Sequence, residues 1–365
     1  MAQLEISDAQ RSRTARAVLT KNLKVRPGER VTIEAWTHTI PWAAAFAREA
    51  RRLGAIPMTL FEEESAFWDA VDHGDAATLG SMGAHEGAAL RQTDVYLHMW
   101  GPGDRVRLNA LPAKLRESLF AWNDGWYRSA RRAKLRGARL ELGRPYPTLA
   151  RAYRADEAEW SDQLLRATAV DPARLARAAA PLVRALARGR SLRIRASNGT
   201  DVTLGLARRP VRALTGTVLP PAQRGPFDML INLPAGVVTL ALDESVADGT
   251  IVANRTNYYD DGVATGATFH FGAGRLTEAT FRSGGERFQT SYRSGGRGRD
   301  RPGMLRLGLN PELHNTPQVE DLERGAVMVS VGGNRFVGGK NPSPFFGWAI
   351  TAGATVEVDG QRLRL

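Results

Sequence analysis

Residues Ile231–Gly249 read INLPAGVVTLALDESVADG. The stretch joins an Asn-Leu-Pro-x-Gly run, Asn232–Gly236, to a Ser-x-Ala-Asp-Gly segment about ten residues on, inside a part of the chain with β character. That character begins at Ser191: SLRIRAS and DVTLGLA flank a hairpin turn at Asn198-Gly199. Further hairpins turn at Gly272–Gly274 in ATFHFGAGRLTEATF and at Asp359-Gly360 in ATVEVDGQRLRL. Upstream, Tyr146–Ala187 reads as helical, with Asp171-Pro172 as a cap and first-turn pair, and serves as a connector. Earlier still, Arg30–Trp36, Ile56–Phe61 and Asp94–Trp100 read as strands, with a helix over Pro41–Gly54 between the first two. Ser7 caps an opening helix through Leu23, helices follow at Pro112–Ala121 and Asp124–Leu135, and Arg139–Gly143 is a further short strand. Strands alternating with helices specify a parallel sheet with helices packed on it. The expected fold class is therefore an α/β domain over residues 1–190, with a parallel sheet and helical connector, followed by a mainly-β domain over 191–365. Arg282–Arg301, RSGGERFQTSYRSGGRGRDR, reads as a polar loop, a surface insertion in preference to a lid.

Composition narrows the function classes. With 43% hydrophobic and 24% charged residues the chain has the balance of a soluble globular protein, and no apolar run approaches the length of a membrane span. The opening MAQLEISDAQRSR lacks the apolar core of a signal peptide, so a cytoplasmic location is expected. The absence of cysteine fits that compartment and removes disulfides, thiol nucleophiles and thiolate metal sites. The net charge of +12 comes from 45 arginines against 5 lysines, spread over all segments without a nucleic-acid motif or interleaved aromatics. It reads as compositional bias, so no nucleic-acid partner is expected. The densest run, Arg128–Arg139, is the solvated face of a helix. The turn Thr37–Ile40 after the first strand has no Gly-x-Gly-x-x-Gly, and no Gly-x-Ser-x-Gly elbow occurs, which argues against dinucleotide and serine-hydrolase chemistry.

Several segments in fixed order give the chain a relative. NLPAG with ADGTIV, then LRLGLNP, then VMVSVGGNRFVGGKNPSP and the closing ATVEVDG resemble the aminopeptidase T family of metallopeptidases. The opening KVRPGERVTI and RRLGAIPMTL, and the connector YPTLARAY, extend the likeness over nearly the whole chain. The resemblance implies an α/β domain followed by a β-rich one, an aminopeptidase-like activity, two divalent metals in the C-terminal half, and a homodimer around an enclosed cavity. The family's metal ligands fall, in this sequence, on Val237, Arg306, Met328, Phe346 and Trp348, with a family tyrosine near Arg335 or Phe336. None of these offers the anionic oxygens that a dinuclear site needs, so no metal cofactor is expected.

Val237, Arg306, Met328, Arg335, Phe346 and Trp348 would then form an apolar, aromatic wall with guanidinium groups. Such a wall suits a small, partly apolar, carboxylate-bearing molecule. Of six histidines none has metal-ligand spacing; His98 and His270 read as packed strand residues, and His314 is a candidate replacement base. Tyr258, Tyr259, Asp260 and Asp261 are either an acid/base loop or an Asp-Asp-Gly turn. Gly332–Arg335 and Gly338–Asn341 could form an anion-binding backbone nest. Trp36, Trp42, Trp68, Trp100, Trp122 and Trp126 crowd the N-terminal half, as a cavity mouth, a dimer interface or ordinary core. Two function classes remain: an enzyme acting without the family metals on a small amino-acid-like or peptide-like molecule, or a non-catalytic dimeric binding or scaffold protein. A ring-cleaving iron dioxygenase of related fold is a third, and it too needs histidine and carboxylate ligands.

Overall fold

The computed structural model describes residues 6–219, 229–260 and 262–365. The chain divides into two compact units, Met1–Ala169 with Gly216–Pro234, and Val170–Thr215 with Ala235–Leu365.

The first unit is built on strands β1 (Arg30–Trp36), β2 (Ile56–Glu62), β3 (Val95–Met99) and β4 (Arg136–Leu140). Strands β5 (Ser191–Arg195), β6 (Asp201–Gly205) and β7 (Arg212–Leu214) belong to the second unit, and β8 (Leu230–Leu233) returns to the first. Among the described residues its sheet is wholly parallel, in the order β2-β1-β3-β4-β8. The alternation in RVTIEAW sends Val31, Ile33 and Ala35 to one face and Thr32, Glu34 and Trp36 to the other. The helix Ile40–Arg52 buries Trp42, Phe46 and Ala50, an apolar stripe at helical spacing. On the Tyr96 side, Leu90, Trp126 and Ala130 close a hydrophobic cluster with Leu230. Residues 113–133 form one helix where two were expected, because the Asn123-Asp124-Gly125 run does not break it. Gly125 is needed inside that helix: a Cβ there would come within 2.9 Å of the Met82 Cβ. Strand β4 starts at Arg136, earlier than its sequence suggested.

The second unit continues with β9 (Val237–Ala241), β10 (Ala247–Val252), β11 (Asn257–Tyr259), β12 (Gly262–Ala264), β13 (Thr268–Gly272) and β14 (Arg275–Thr280). It closes with β15 (Pro302–Gly308), β16 (Ala326–Gly332), β17 (Phe346–Ala352), β18 (Thr355–Val358) and β19 (Gln361–Arg362). One sheet runs β14-β13-β10-β6-β5-β18-β19 and a second β17-β16-β15-β9-β7, both antiparallel, while β11 and β12 pair as a separate hairpin. Every residue of β16 is buried. The helix Pro172–Arg188 buries Leu175, Ala179, Leu182 and Leu186 in this unit, so residue 190 lies inside the second unit. Residues 282–301 are not a plain loop. Glu286–Ser294 is a helix, anchored by Phe288, which is 4% exposed and packs its ring on Phe269, Phe281 and Phe345. Phe288 and Tyr292 stand four apart, on one helix face.

The decisive stretch thus splits: β8 ends in the first unit, Pro234 closes it, and Ala235 opens the return to the second. Among the described residues no helix is long and apolar enough to cross a membrane.

Candidate functional site

Strand alternation places Met304 and Arg306 of β15, Met328 of β16, and Phe346 and Trp348 of β17 on one face of the five-stranded antiparallel sheet. Arg306 stands opposite Met328 on one side and Thr239 on the other. Met304 and Met328 form the buried centre of a cluster, with Phe346 and Trp348 packed against it. These residues floor a cavity of about 260 Å³, whose wall is completed by Tyr258, Glu320 and Asp321. A larger cavity, about 500 Å³, shares Tyr258, Gln318, Phe346 and Trp348 and reaches Asp260 and the helix residues Arg287 and Ser291.

The 3-10 turn Glu320–Leu322 brings the carboxyl groups to the sheet face. Asp321 Oδ2 lies 2.8 Å from Arg306 Nε, a close ion pair. Glu320 is 4% exposed, and its Oε2 has no hydrogen-bonding partner. Burial first, and then the neighbouring Asp321 charge, push the Glu320 carboxyl up to about 8, with Arg306 only partly offsetting them. Glu320 therefore keeps its proton near neutrality. The Tyr258 hydroxyl donates to the Asn315 carbonyl at 3.0 Å, and burial pushes its pKa up to about 12. Tyr259 packs on Trp348, with ring centroids 5.2 Å apart.

Four of the expected wall residues, Arg306, Met328, Phe346 and Trp348, line the smaller cavity together with Tyr258. Asp260 lines the larger one; Asp261 lies outside the described residues. Val237 is 1% exposed, sits opposite Gly308 in β9, and lines neither cavity. Arg335 is exposed in a 3-10 turn and lines neither, whereas its neighbour Phe336 lines the smaller. The His314 side chain is 78% exposed, outside both cavities, with Nδ1 3.3 Å from Glu323. The Gly-rich loop turns its polar groups on the protein itself. Glu244 accepts from the Lys340 N–H and the Asn334 amide, both at 2.9 Å, and pairs with Arg209. Although burial opposes its ionisation, those partners hold the Glu244 carboxyl down at about 2. Glu320 and Asp321 were not singled out from the sequence; their signal is two carboxylates set between Val319 and Leu322, both buried.

This face does not fit a pair of divalent metals. Thioethers, aromatic rings and an arginine already paired with Asp321 occupy the floor, where hard cations need several anionic oxygens. Among the described residues no group of three or more histidine, aspartate or glutamate side chains is arranged to hold a metal ion.

No curated protein matches the chain significantly. AmpT from Thermus thermophilus superposes with a TM-score of 0.69 at 19% identity, covering 98% of this chain and 97% of that one. 2,5-Dihydroxypyridine dioxygenase from Pseudomonas putida KT2440 superposes with a TM-score of 0.62 at 17% identity, covering 99% and 96%. Both likenesses establish the two-part fold. The family model of the thermophilic metalloproteases (M29) matches residues 7–293. The chain belongs to the thermophilic metalloprotease (M29) family.

Proposed function

We propose that the protein is an aminopeptidase-like hydrolase that cleaves the amide bond of a small amino-acid-like or peptide-like molecule with carboxyl groups of its own in place of the family metals. The observation carrying this reading is a buried Glu320, its Oε2 without a hydrogen-bonding partner, next to an Asp321 held beside Arg306 in one cavity. Two carboxyl groups in different protonation states supply an acid and a base to the same reacting centre. Water attacks the carbonyl carbon while its proton passes to the Asp321 carboxylate. As the C–N bond breaks, Glu320 gives its proton to the leaving nitrogen, and the extra proton on Asp321 then restores Glu320. Only the Nε end of Arg306 is engaged among the described residues, which leaves its Nη atoms for a substrate carboxylate. Phe346 and Trp348 would cover the apolar part of the substrate. Self-association into a homodimer belongs to the same proposal and is checked by analytical ultracentrifugation.

The test is hydrolysis of dipeptides and amino-acid amides by protein stripped with chelator, alongside elemental mass spectrometry of the untreated protein. Activity that survives stripping is the expected result. Stoichiometric metal together with loss of activity on stripping, restored by that metal, would overturn the proposal. Inert protein that still binds small carboxylates, and loses them in Arg306→Ala, would leave the non-catalytic binding protein as the better reading.

A further inference from the structure

The first unit holds a separate cavity of about 670 Å³. Its position follows from topology. Strand order β2-β1-β3-β4 means that the chain leaves β1 in one direction and returns to β3 on the other side. Ligands of open parallel sheets bind at such a switch point, outside the carboxyl ends of the strands. Glu34, Glu62, His98 and Arg139 line this cavity, each at or within two residues of the end of its own strand. His98 and Arg139 are in register across β3 and β4, and His98 Nδ1 lies 3.0 Å from Glu34 Oε2.

The walls are aromatic. Trp36, Trp100, Trp122 and Trp126 converge here from three different segments, the last two from one helix, whereas Trp42 and Trp68 are buried elsewhere. The Trp36 ring is 9% exposed, and its indole N–H has no hydrogen-bonding partner of good geometry. Trp100 already carries two cations, with Arg144 4.2 Å and Arg105 5.5 Å from its ring centroid. Arg139 donates to the Tyr127 hydroxyl at 2.5 Å.

The acidic side is less well matched. Tyr96 and His98 bond Glu34 at Oε2, and with Trp36 they offset the cost of its burial. Glu62 stands at the open end. Burial first, and then the Glu34 and Glu86 charges, raise its pKa. Glu62 is the carboxylate that a ligand's cation would complement, and indole faces favour one.

We propose that this cavity is a second small-molecule site, taking an aromatic amine whose ammonium group sits against Glu34 and Glu62 and whose ring lies among the tryptophans. The proposal is independent of the hydrolase reading. Calorimetric titration of the intact protein with phenethylamine, 2-phenylethanol and 3-phenylpropionate separates charge from shape. Phenethylamine is expected to bind at least tenfold tighter than the other two. Glu62→Gln, at the open end and clear of the Tyr96–Glu34–His98 bonds, weakens it about tenfold; Trp348→Ala, in the other unit, leaves it unchanged. No binding of the amine, equal or tighter binding of the alcohol or the anion, or loss in Trp348→Ala with Glu62→Gln unaffected, would each overturn the proposal.

Discussion

The two cavities are built in opposite ways. In the first unit the sheet itself carries the polar groups, with Glu34, His98 and Arg139 on neighbouring strands of one face. In the second the sheet face is methionine and aromatic but for Arg306, and a 3-10 turn lowers Glu320 and Asp321 onto it. Parallel strands covered on both sides ordinarily read as apolar on both faces, so a polar row there is out of place and marks a site. An antiparallel face packed with apolar residues is ordinary, so its chemistry has to come from whatever covers it. The contrast gives each cavity a different weak point: one depends on strand register, the other on a single turn.

The largest effect that would break this contrast is on turnover. Glu320→Gln keeps shape but cannot give up a proton, and should lower amide hydrolysis about 100-fold or more. If the rate is untouched while Glu34→Gln abolishes it, the chemistry lies in the first unit instead. In the unaltered protein the rate should fall as pH rises through about 8, because the acid form of Glu320 is required.

A smaller effect concerns stability. The folded Glu320 holds its proton up to about 8, whereas its ordinary value is 4.5. Between those values the folded state binds a proton that the unfolded chain has released, so stability falls as pH rises through the window. Tm should drop by about 5 °C between pH 5 and pH 8.5. Glu62, Glu86 and Glu157 shift the same way, and Glu320→Gln isolates its own share by removing most of the drop. A drop unchanged in Glu320→Gln would place the responsible carboxyls in the first unit.

The smallest effect sharpens the comparison from outside both cavities. His314→Ala should change turnover less than about twofold and stability by less than about 1 kcal/mol, as expected of an exposed ion pair. A larger loss of turnover would bring His314 back as a catalytic base.

Legibility in the sequence followed how local each cause was. RVTIEAW showed its strand through alternation, Asp171-Pro172 its helix start, and Asn198-Gly199 its hairpin, because each signal lies within a few residues. The helix Glu286–Ser294 was hidden between glycine pairs, with only Phe288 and Tyr292 to suggest an apolar face. Arg306, Met328, Phe346 and Trp348 could be grouped beforehand through family resemblance, and the strand register brings them to one face. Glu320 and Asp321 could not, since nothing in QVEDLERG says that the turn will be buried. The tryptophans of the first unit pointed to a cavity mouth only as one of three readings, and four of the six line one. His98 looked like packing, and its role depends on a strand neighbour, Glu34, distant in sequence.

Strand β8 has a further consequence, in time. The first sheet pairs Arg136–Leu140 with Leu230–Leu233, so its last strand is translated only after β5, β6 and β7 of the other unit. A nascent chain therefore exposes the open edge of β4 while the ribosome works through that interval, and N-terminal domains that fold first as units cannot be the rule here. Completion of the first unit waits on Pro234, which makes the two units partners in synthesis.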